Sequence, residues 1–257
     1  MADAFFLPLG GDRFDATPHT QGPWDPSHQH GGPGCALLAR ALERLVVDDD
    51  LFPGRIAFDY LGAIPVGPVA VTATLRRDGR RIRLGEATLT ADGREVLRAS
   101  AWWTRAAPGV PPLSAHARPA DGASDQVAAG PWRFGFLDAC EWRFVRGNLA
   151  EPGPATCWMR LRYPLVAGEE PSGLQRLAAA ADSTNGIGAS LPLDRWRFIP
   201  PELTVHVLRP PVGTWICVDA ETTLTGGRGV ASSRLFDEDG IVGLAAQALL
   251  VEPVAPG

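Results

Sequence analysis

A helix followed by a run of four strands is written twice in this chain, and a duplicated unit of that kind leaves few ways to fold. The first copy opens at 33–47 (PGCALLARALERLVV), where Leu37, Leu38, Ala41, Leu42 and Leu45 recur at the three- and four-residue spacing of an amphipathic helix. Strands follow at 55–61, 69–77, 81–91 and 95–104, with Asp78-Gly79 and Asp92-Gly93 as hairpin signals between them. In the second half, 140–148 and 155–163 read as a strand pair and 172–181 as a helix. Strands at 203–208, 215–224, 229–237 and 241–252 then repeat the series, with Gly226-Gly227 and Asp239-Gly240 at the turns. Ile64-Pro65-Val66-Gly67 falls against Pro210-Pro211-Val212-Gly213 at an offset of 146, and Asp92-Gly93 against Asp239-Gly240 at 147. At the second offset Ser100 lies opposite Gln247.

A helix wrapped by an antiparallel meander needs strands that are apolar on the face toward the helix, and 69–75 alternates accordingly. Two such units most simply set their sheets side by side, which closes one edge on each and encloses both helices. Residues 106–131 are rich in Pro, Ala and Gly with no apolar period and read as the connection. The expected organisation is therefore an N-terminal repeat at 1–105, a linker at 106–131 and a C-terminal repeat at 132–257. The 29 glycines and 24 prolines belong to the hairpins, the Val-Gly corners and this linker.

Composition removes several classes of function. With 45% hydrophobic and 21% charged residues the chain is globular, and 24 Lys+Arg against 29 Asp+Glu give a net charge of −5, without the basic footprint of a nucleic-acid partner. The first residues lack the basic n-region of a secretory signal, and no uncharged apolar run approaches the ~20 residues of a membrane helix. A cytoplasmic protein with no membrane partner is expected. Cys35, Cys140, Cys157 and Cys217 are scattered and form no C-x-x-C pair, so they read as reduced core thiols, with neither metal nor cofactor implied.

The duplicated helix-plus-meander, the Ala-Asp-Ser-Thr-Asn-Gly run at 181–186, Leu-Arg-Pro-Pro-Val-Gly at 208–213, and Asp-Glu-Asp-Gly followed by Gln247 resemble the acyl-CoA thioesterase II-like family of double hot-dog proteins. The resemblance covers nearly the whole chain. It implies an α+β double hot-dog fold, an acyl-CoA or other acyl-thioester substrate, and hydrolysis by a water gathered between an Asp, a Thr or Ser hydroxyl and a Gln. Asp182 matches the family aspartate and Gln247 the glutamine. Counting back from Leu208-Arg209-Pro210, the family threonine falls at Pro200, which has no hydroxyl, leaving Thr204 and Thr184 as substitutes. Self-association into a homo-oligomer is left open.

Each residue also has a plainer reading. Asp182 ends an Ala-rich helix and can bond the turn that follows, although an acid there faces the negative end of the helix dipole. Gln247 is a lone polar side chain in the alternating GLAAQALLV and needs a partner if buried. His30-Gly31-Gly32 opens the first helix, where free N–H groups can bind an oxyanion; a helix-start turn is the alternative. His30 reads as a loop histidine or as a group touching the thioester. Arg76-Arg77 and Arg80-Arg81 flank a hairpin and offer either a basic spot for a CoA phosphate or a solvated tip. Thioester hydrolysis is accordingly set beside two other functions. One is a hot-dog hydratase or dehydratase, which would need His30 as partner of Asp182. The other is a non-catalytic acyl-thioester binding protein, suggested by Pro200.

Overall fold

The computed structural model describes residues 3–48, 50–107, 109–110, 116–121 and 133–254. Two short strands, β1 (Phe6–Gly10) and β2 (Arg13–Ala16), precede the central helix α1 (Gly31–Leu45) and the meander β3 (Leu51–Tyr60), β4 (Pro68–Asp78), β5 (Ile82–Ala91) and β6 (Arg94–Arg105). The second half runs α2 (Gly135–Asp138), β7 (Cys140–Arg146), β8 (Ala155–Leu161), α3 (Gly173–Ala181), α4 (Thr184–Ile187), β9 (Trp196–Ile199), β10 (Glu202–Val207), β11 (Ile216–Thr225), β12 (Arg228–Asp237) and β13 (Gly240–Pro253).

The strands form one antiparallel sheet in the order β1-β2-β4-β5-β6-β3-β10-β13-β12-β11-β8-β7, with β9 paired to β13. Read outward from the β3–β10 joint, the halves have matching order: β3-β6-β5-β4-β2-β1 on one side and β10-β13-β12-β11-β8-β7 on the other. The repeats therefore meet edge to edge, with Thr204 opposite Ala57 in the joining register. This is the α+β double hot-dog architecture. The far edge at β1 is covered by the second repeat, since Phe5 and Phe6 N–H groups donate to the Pro164 and Leu165 carbonyls at 3.1 and 2.9 Å. Among the described residues no helix is long and apolar enough to cross a membrane.

Both helices lie on the inner face. In α1 every residue from Gly32 to Ala39 is buried, as is Leu42, because the sheet wraps it and α3 packs on its remaining side. The second half of α3, Ala178–Ala181, is made of small residues, and this permits a close crossing: a Cβ on Gly32 would sit 2.7 Å from the Ala179 carbonyl oxygen. The helices run antiparallel. At one end Ser172, which caps α3 through the Gln175 N–H at 3.1 Å, donates its hydroxyl to Glu43 of α1 at 2.7 Å. At the other end the start of α1 meets the end of α3, and the candidate site lies there.

Of the expected linker, residues 108, 111–115 and 122–131 lie outside the described residues. Residues 116–121 lie over the outer face of the second repeat, where Trp158 Nε1 donates to the Ala120 carbonyl at 2.9 Å and the Arg118 guanidinium sits 4.5 Å above the Trp158 ring. All four cysteines are buried and unpaired.

Candidate active site

His30 caps α1 and Asp182 caps α3, so the antiparallel packing of two helices brings together side chains that lie 152 positions apart in sequence. The His30 Nδ1 and Asp182 Oδ2 atoms are 2.9 Å apart, with the carboxylate 5% exposed. The other carboxylate oxygen, Oδ1, accepts a short hydrogen bond from the Tyr60 hydroxyl at the end of β3. Tyr60 is in turn 3.1 Å from the Cys35 sulfur on α1. An acid at the C-terminus of α3 is unfavourable to that helix's own dipole, but here it faces the positive N-terminus of α1 and two side-chain donors. His30 is held in plane by Phe136 of α2, whose ring stacks on it at 4.3 Å between centroids and 19° between planes.

The Nδ1 atom of His30 also lies 3.1 Å from the Gly32 N–H. Both contacts cannot be hydrogen bonds at once, since Nδ1 would have to accept from Gly32 and donate to Asp182. The carboxylate decides the assignment. A bare nitrogen lone pair facing an anionic oxygen would be repelled, whereas an Nδ1–H makes a charge-assisted bond. With Nδ1 protonated, Nε2 is the open nitrogen, without a protein partner among the described residues, while the Gly32 N–H stays aimed at the Nδ1 side of the ring. Pro33 has no N–H, so the donors at the mouth of α1 are the amides of Gly31, Gly32 and Gly34. Burial, followed by the Asp182 charge, pushes the Tyr60 hydroxyl well above the phenol range, so it remains a donor. The same two causes push the Cys35 thiol well up, which makes it a poor nucleophile.

Gln247, on the inner face of β13, is fully buried, and both ends of its amide are engaged. Its Oε1 accepts the Asn185 N–H at 3.0 Å, and its Nε2 donates to the main-chain carbonyl of Asp182 at 3.3 Å. Gln247 and Asp182 are thus neighbours, joined through the aspartate's backbone and not through its carboxylate. Thr184 donates to the Ala181 carbonyl at 2.7 Å and lies 2.9 Å from the Ser233 hydroxyl, which locks the turn after Asp182. The Ser183 hydroxyl, between them, is buried and has no partner among the described residues.

Thr204 is not brought to the site. On β10 the buried residues are Leu203, Val205 and Val207, so Thr204 and His206 point to the opposite, outer face. Thr204 there meets Glu202 at 3.1 Å, and across the ladder it pairs with Ala246 while Gln247 points inward. This corrects the expectation that Thr204 stands in for the family hydroxyl. The Arg76-Arg77 hairpin lies toward the opposite, C-terminal end of α1, where Gly85 of β5 faces Leu45, and Arg76 bonds Glu86 at 2.6 Å. Tyr60, Phe136 and Ser183 went unrecognised in the sequence. Tyr60 carried one signal, a hydroxyl-bearing aromatic at the end of an alternating strand. Among the described residues no cluster of three or more His, Cys, Asp or Glu side chains is placed to hold a metal ion.

The recurring sequence motifs have structural work of their own. Asp237, fully buried in the Asp-Glu-Asp-Gly turn, binds Arg209 of Leu-Arg-Pro-Pro-Val-Gly through both oxygens at 2.5 Å and accepts the Val212 and Asp239 N–H groups at 2.8 and 2.9 Å. Burial raises its pKa and the Arg209 bond lowers it, with the backbone amides adding to the bond, and the net position is below the usual carboxylate range.

Comparison with known proteins agrees with this architecture. Family models for the acyl-CoA thioesterase N-terminal domain and C-terminal domain match residues 20–104 and 115–251. No curated protein matches the sequence. Among solved structures, a candidate thioesterase II from Thermobifida fusca is 20% identical with a TM-score of 0.73, covering 96% of this chain and 95% of that one. A hot-dog-fold protein from Alicyclobacillus acidocaldarius is 17% identical with a TM-score of 0.73, covering 99% and 98%. The acyl-CoA thioesterase II TesB2 from Mycobacterium marinum is 14% identical with a TM-score of 0.65, covering 98% and 96%. At these identities the structures speak for the fold, and the two domain matches, the second alone spanning more than half the sequence, speak for the lineage. The chain belongs to the acyl-CoA thioesterase family and is a thioester hydrolase built from two hot-dog repeats.

Proposed function

We propose that this protein hydrolyses acyl-CoA thioesters with His30 as general base, Asp182 as the group that orients it, and the Gly31 amide at the start of α1 as a donor to the thioester oxygen. The observation that carries the reading is the 2.9 Å contact between His30 and Asp182 across the two repeats. Asp182 holds the imidazole in the tautomer with Nδ1 protonated, so Nε2 can take a proton from water. The resulting hydroxide attacks the carbonyl carbon, and the developing oxyanion meets the Gly31 amide. The carbon–sulfur bond then breaks and the thiolate leaves with the proton held on Nε2. Gln247 keeps its place in this scheme as the residue that fixes the Asp182 backbone, and Thr204 takes no part.

Purified protein assayed for thiol release against acyl-CoAs of increasing chain length should turn over, and His30→Ala or Asp182→Asn should each lower kcat by ~10²–10⁴. No thiol release on any chain length, or full activity in Asp182→Asn, overturns the proposal. The same His–Asp pair favours one second reading, hydration of an enoyl thioester or its reverse, since that chemistry also needs an acid and a histidine in one site. Enoyl-CoA hydration abolished by His30→Ala, without thiol release, would select it.

A further inference from the structure

We infer that Tyr60 is a positioning residue for this site: its hydroxyl holds Asp182 Oδ1 so that Oδ2 remains on His30. The inference rests on the His30–Asp182 reading given above and adds to it a third member contributed by β3.

The Asp182 carboxylate is reached from two elements, α1 and β3. His30, capping α1, lies at 2.9 Å from Oδ2. Tyr60, ending β3, donates to Oδ1. Cys35, one turn into α1, lies 3.1 Å from the Tyr60 oxygen, so its thiol hydrogen can occupy the phenol's lone pair while the phenol hydrogen points at Asp182. The remaining neighbours are neutral: Gln247 on β13 bonds the Asp182 main chain, and the Ser183 hydroxyl follows it in the chain. The backbone of Tyr60 is itself tied to the second repeat, its N–H donating to the Pro201 carbonyl at 2.9 Å.

Without the phenol, a buried carboxylate would keep one donor instead of two and would be free to rotate about its last torsion. Two bonds on two different oxygens remove that freedom, which is how a neighbouring group fixes a catalytic one without touching substrate. Gly31 shows how tightly the arrangement is packed. A Cβ there would fall 2.6 Å from Tyr60 Cε1 and 2.8 Å from both the Tyr60 oxygen and Asp182 Oδ1. Glycine at the first position of α1 is what lets the phenol and carboxylate meet.

The test is Tyr60→Phe, which keeps the ring and removes the donor. Expected is a fall in kcat of ~10-fold with KM within about twofold, because the carboxylate loses one of the two donors that fix it. In an Asp182→Asn background the same substitution should add no further loss. Unchanged kcat, or a loss that adds in full to that of Asp182→Asn, overturns the inference and leaves Tyr60 as packing. If Asp182→Asn and His30→Ala are themselves fully active, it is the catalytic reading that fails.

A second measurement avoids any question of folding. The sequence holds 2 tyrosines, Tyr60 and Tyr163. Incorporating 3-fluorotyrosine gives two fluorine resonances, assigned by Tyr163→Phe. The Tyr60 resonance should shift in Asp182→Asn, where its acceptor becomes a neutral amide; a Tyr60 signal unmoved by that substitution overturns the inference.

Discussion

Gly31→Ala is the substitution for which the geometry makes the sharpest forecast. Gly31 is in ordinary helical backbone, so alanine costs nothing in conformation and its effect is steric. The new Cβ would be 2.6 Å from Tyr60 Cε1, 0.8 Å short of ordinary contact at 3.4 Å, and 2.8 Å from the two oxygens of the Tyr60–Asp182 bond. None of these atoms is the far end of a flexible chain, since Tyr60 is packed on Cys35 and Asp182 on His30. The phenol and carboxylate must therefore separate by several tenths of an ångström. A displacement of that order at a reacting group costs up to ~10²-fold in rate, equivalent to ~2.7 kcal/mol of barrier. Overpacking of a full core costs about 2 kcal/mol of stability, or roughly 4–8 °C in Tm for a chain of this size. Thiol release from acyl-CoA and a thermal melt measure the two effects separately. The control is Gly62→Ala, where an added Cβ meets nothing within 4 Å, and it should leave both unchanged. Wild-type rate and Tm in Gly31→Ala would refute the close packing on which the site is built.

Three further outcomes follow from contacts outside the helix ends. Asp237→Asn should cost about 1–3 kcal/mol, because it removes the charge-assisted bond to Arg209, whose own charge is one-third exposed to solvent. Asp237 lies below its unfolded pKa of 3.8, so its contribution is present above that pH and disappears as pH falls through the folded value; the melting difference from wild type should therefore close in acid. Glu43 behaves with the opposite sign. Burial raises its pKa above 4.5 despite hydrogen bonds from Gln175 and Ser172, so its contribution is full below the unfolded pKa and is lost as pH rises through the folded one. Glu43→Gln should flatten the fall in stability over that window, read from denaturant melts at a series of pH values. Thr204→Val, on the outer face of β10, should leave kcat within about twofold by the thiol-release assay, since nothing there touches His30 or Asp182.

The repeat was legible because it rests on local periods. The 3-4 spacing of α1 and the alternation of the eight meander strands each report which face is buried, and the turn dipeptides mark where the chain reverses. β1 and β9 escaped for a related reason: Phe6–Gly10 holds a proline and ends in glycine, and Trp196–Ile199 is too short to establish a period. Thr204 illustrates a different failure. Leu203, Val205 and Val207 already give the phase of β10 and put Thr204 on the outer face, whereas a residue's distance along the chain from Leu208-Arg209-Pro210 carries no information about which face it takes.

The candidate site was readable residue by residue and unreadable as a site. Asp182, His30, Gly31 and Gly32 each stood out, yet a pairing between a residue capping α1 and one ending α3 depends on how two helices cross, and no period along one chain segment encodes that. The dipole shows why. Taken alone, α3 makes Asp182 an acid at the wrong end of a helix. Taken with α1, packed antiparallel because Gly32 and the Ala178–Ala181 run let the backbones approach, the same acid lies against a positive helix start, an imidazole and a phenol. The electrostatic misfit within one element is the local sign of a partner supplied by another. An acid placed against its own helix dipole, in an otherwise apolar segment, is therefore a reason to look for donors on the element packed across from it, and here that search leads from Asp182 to His30 and Tyr60.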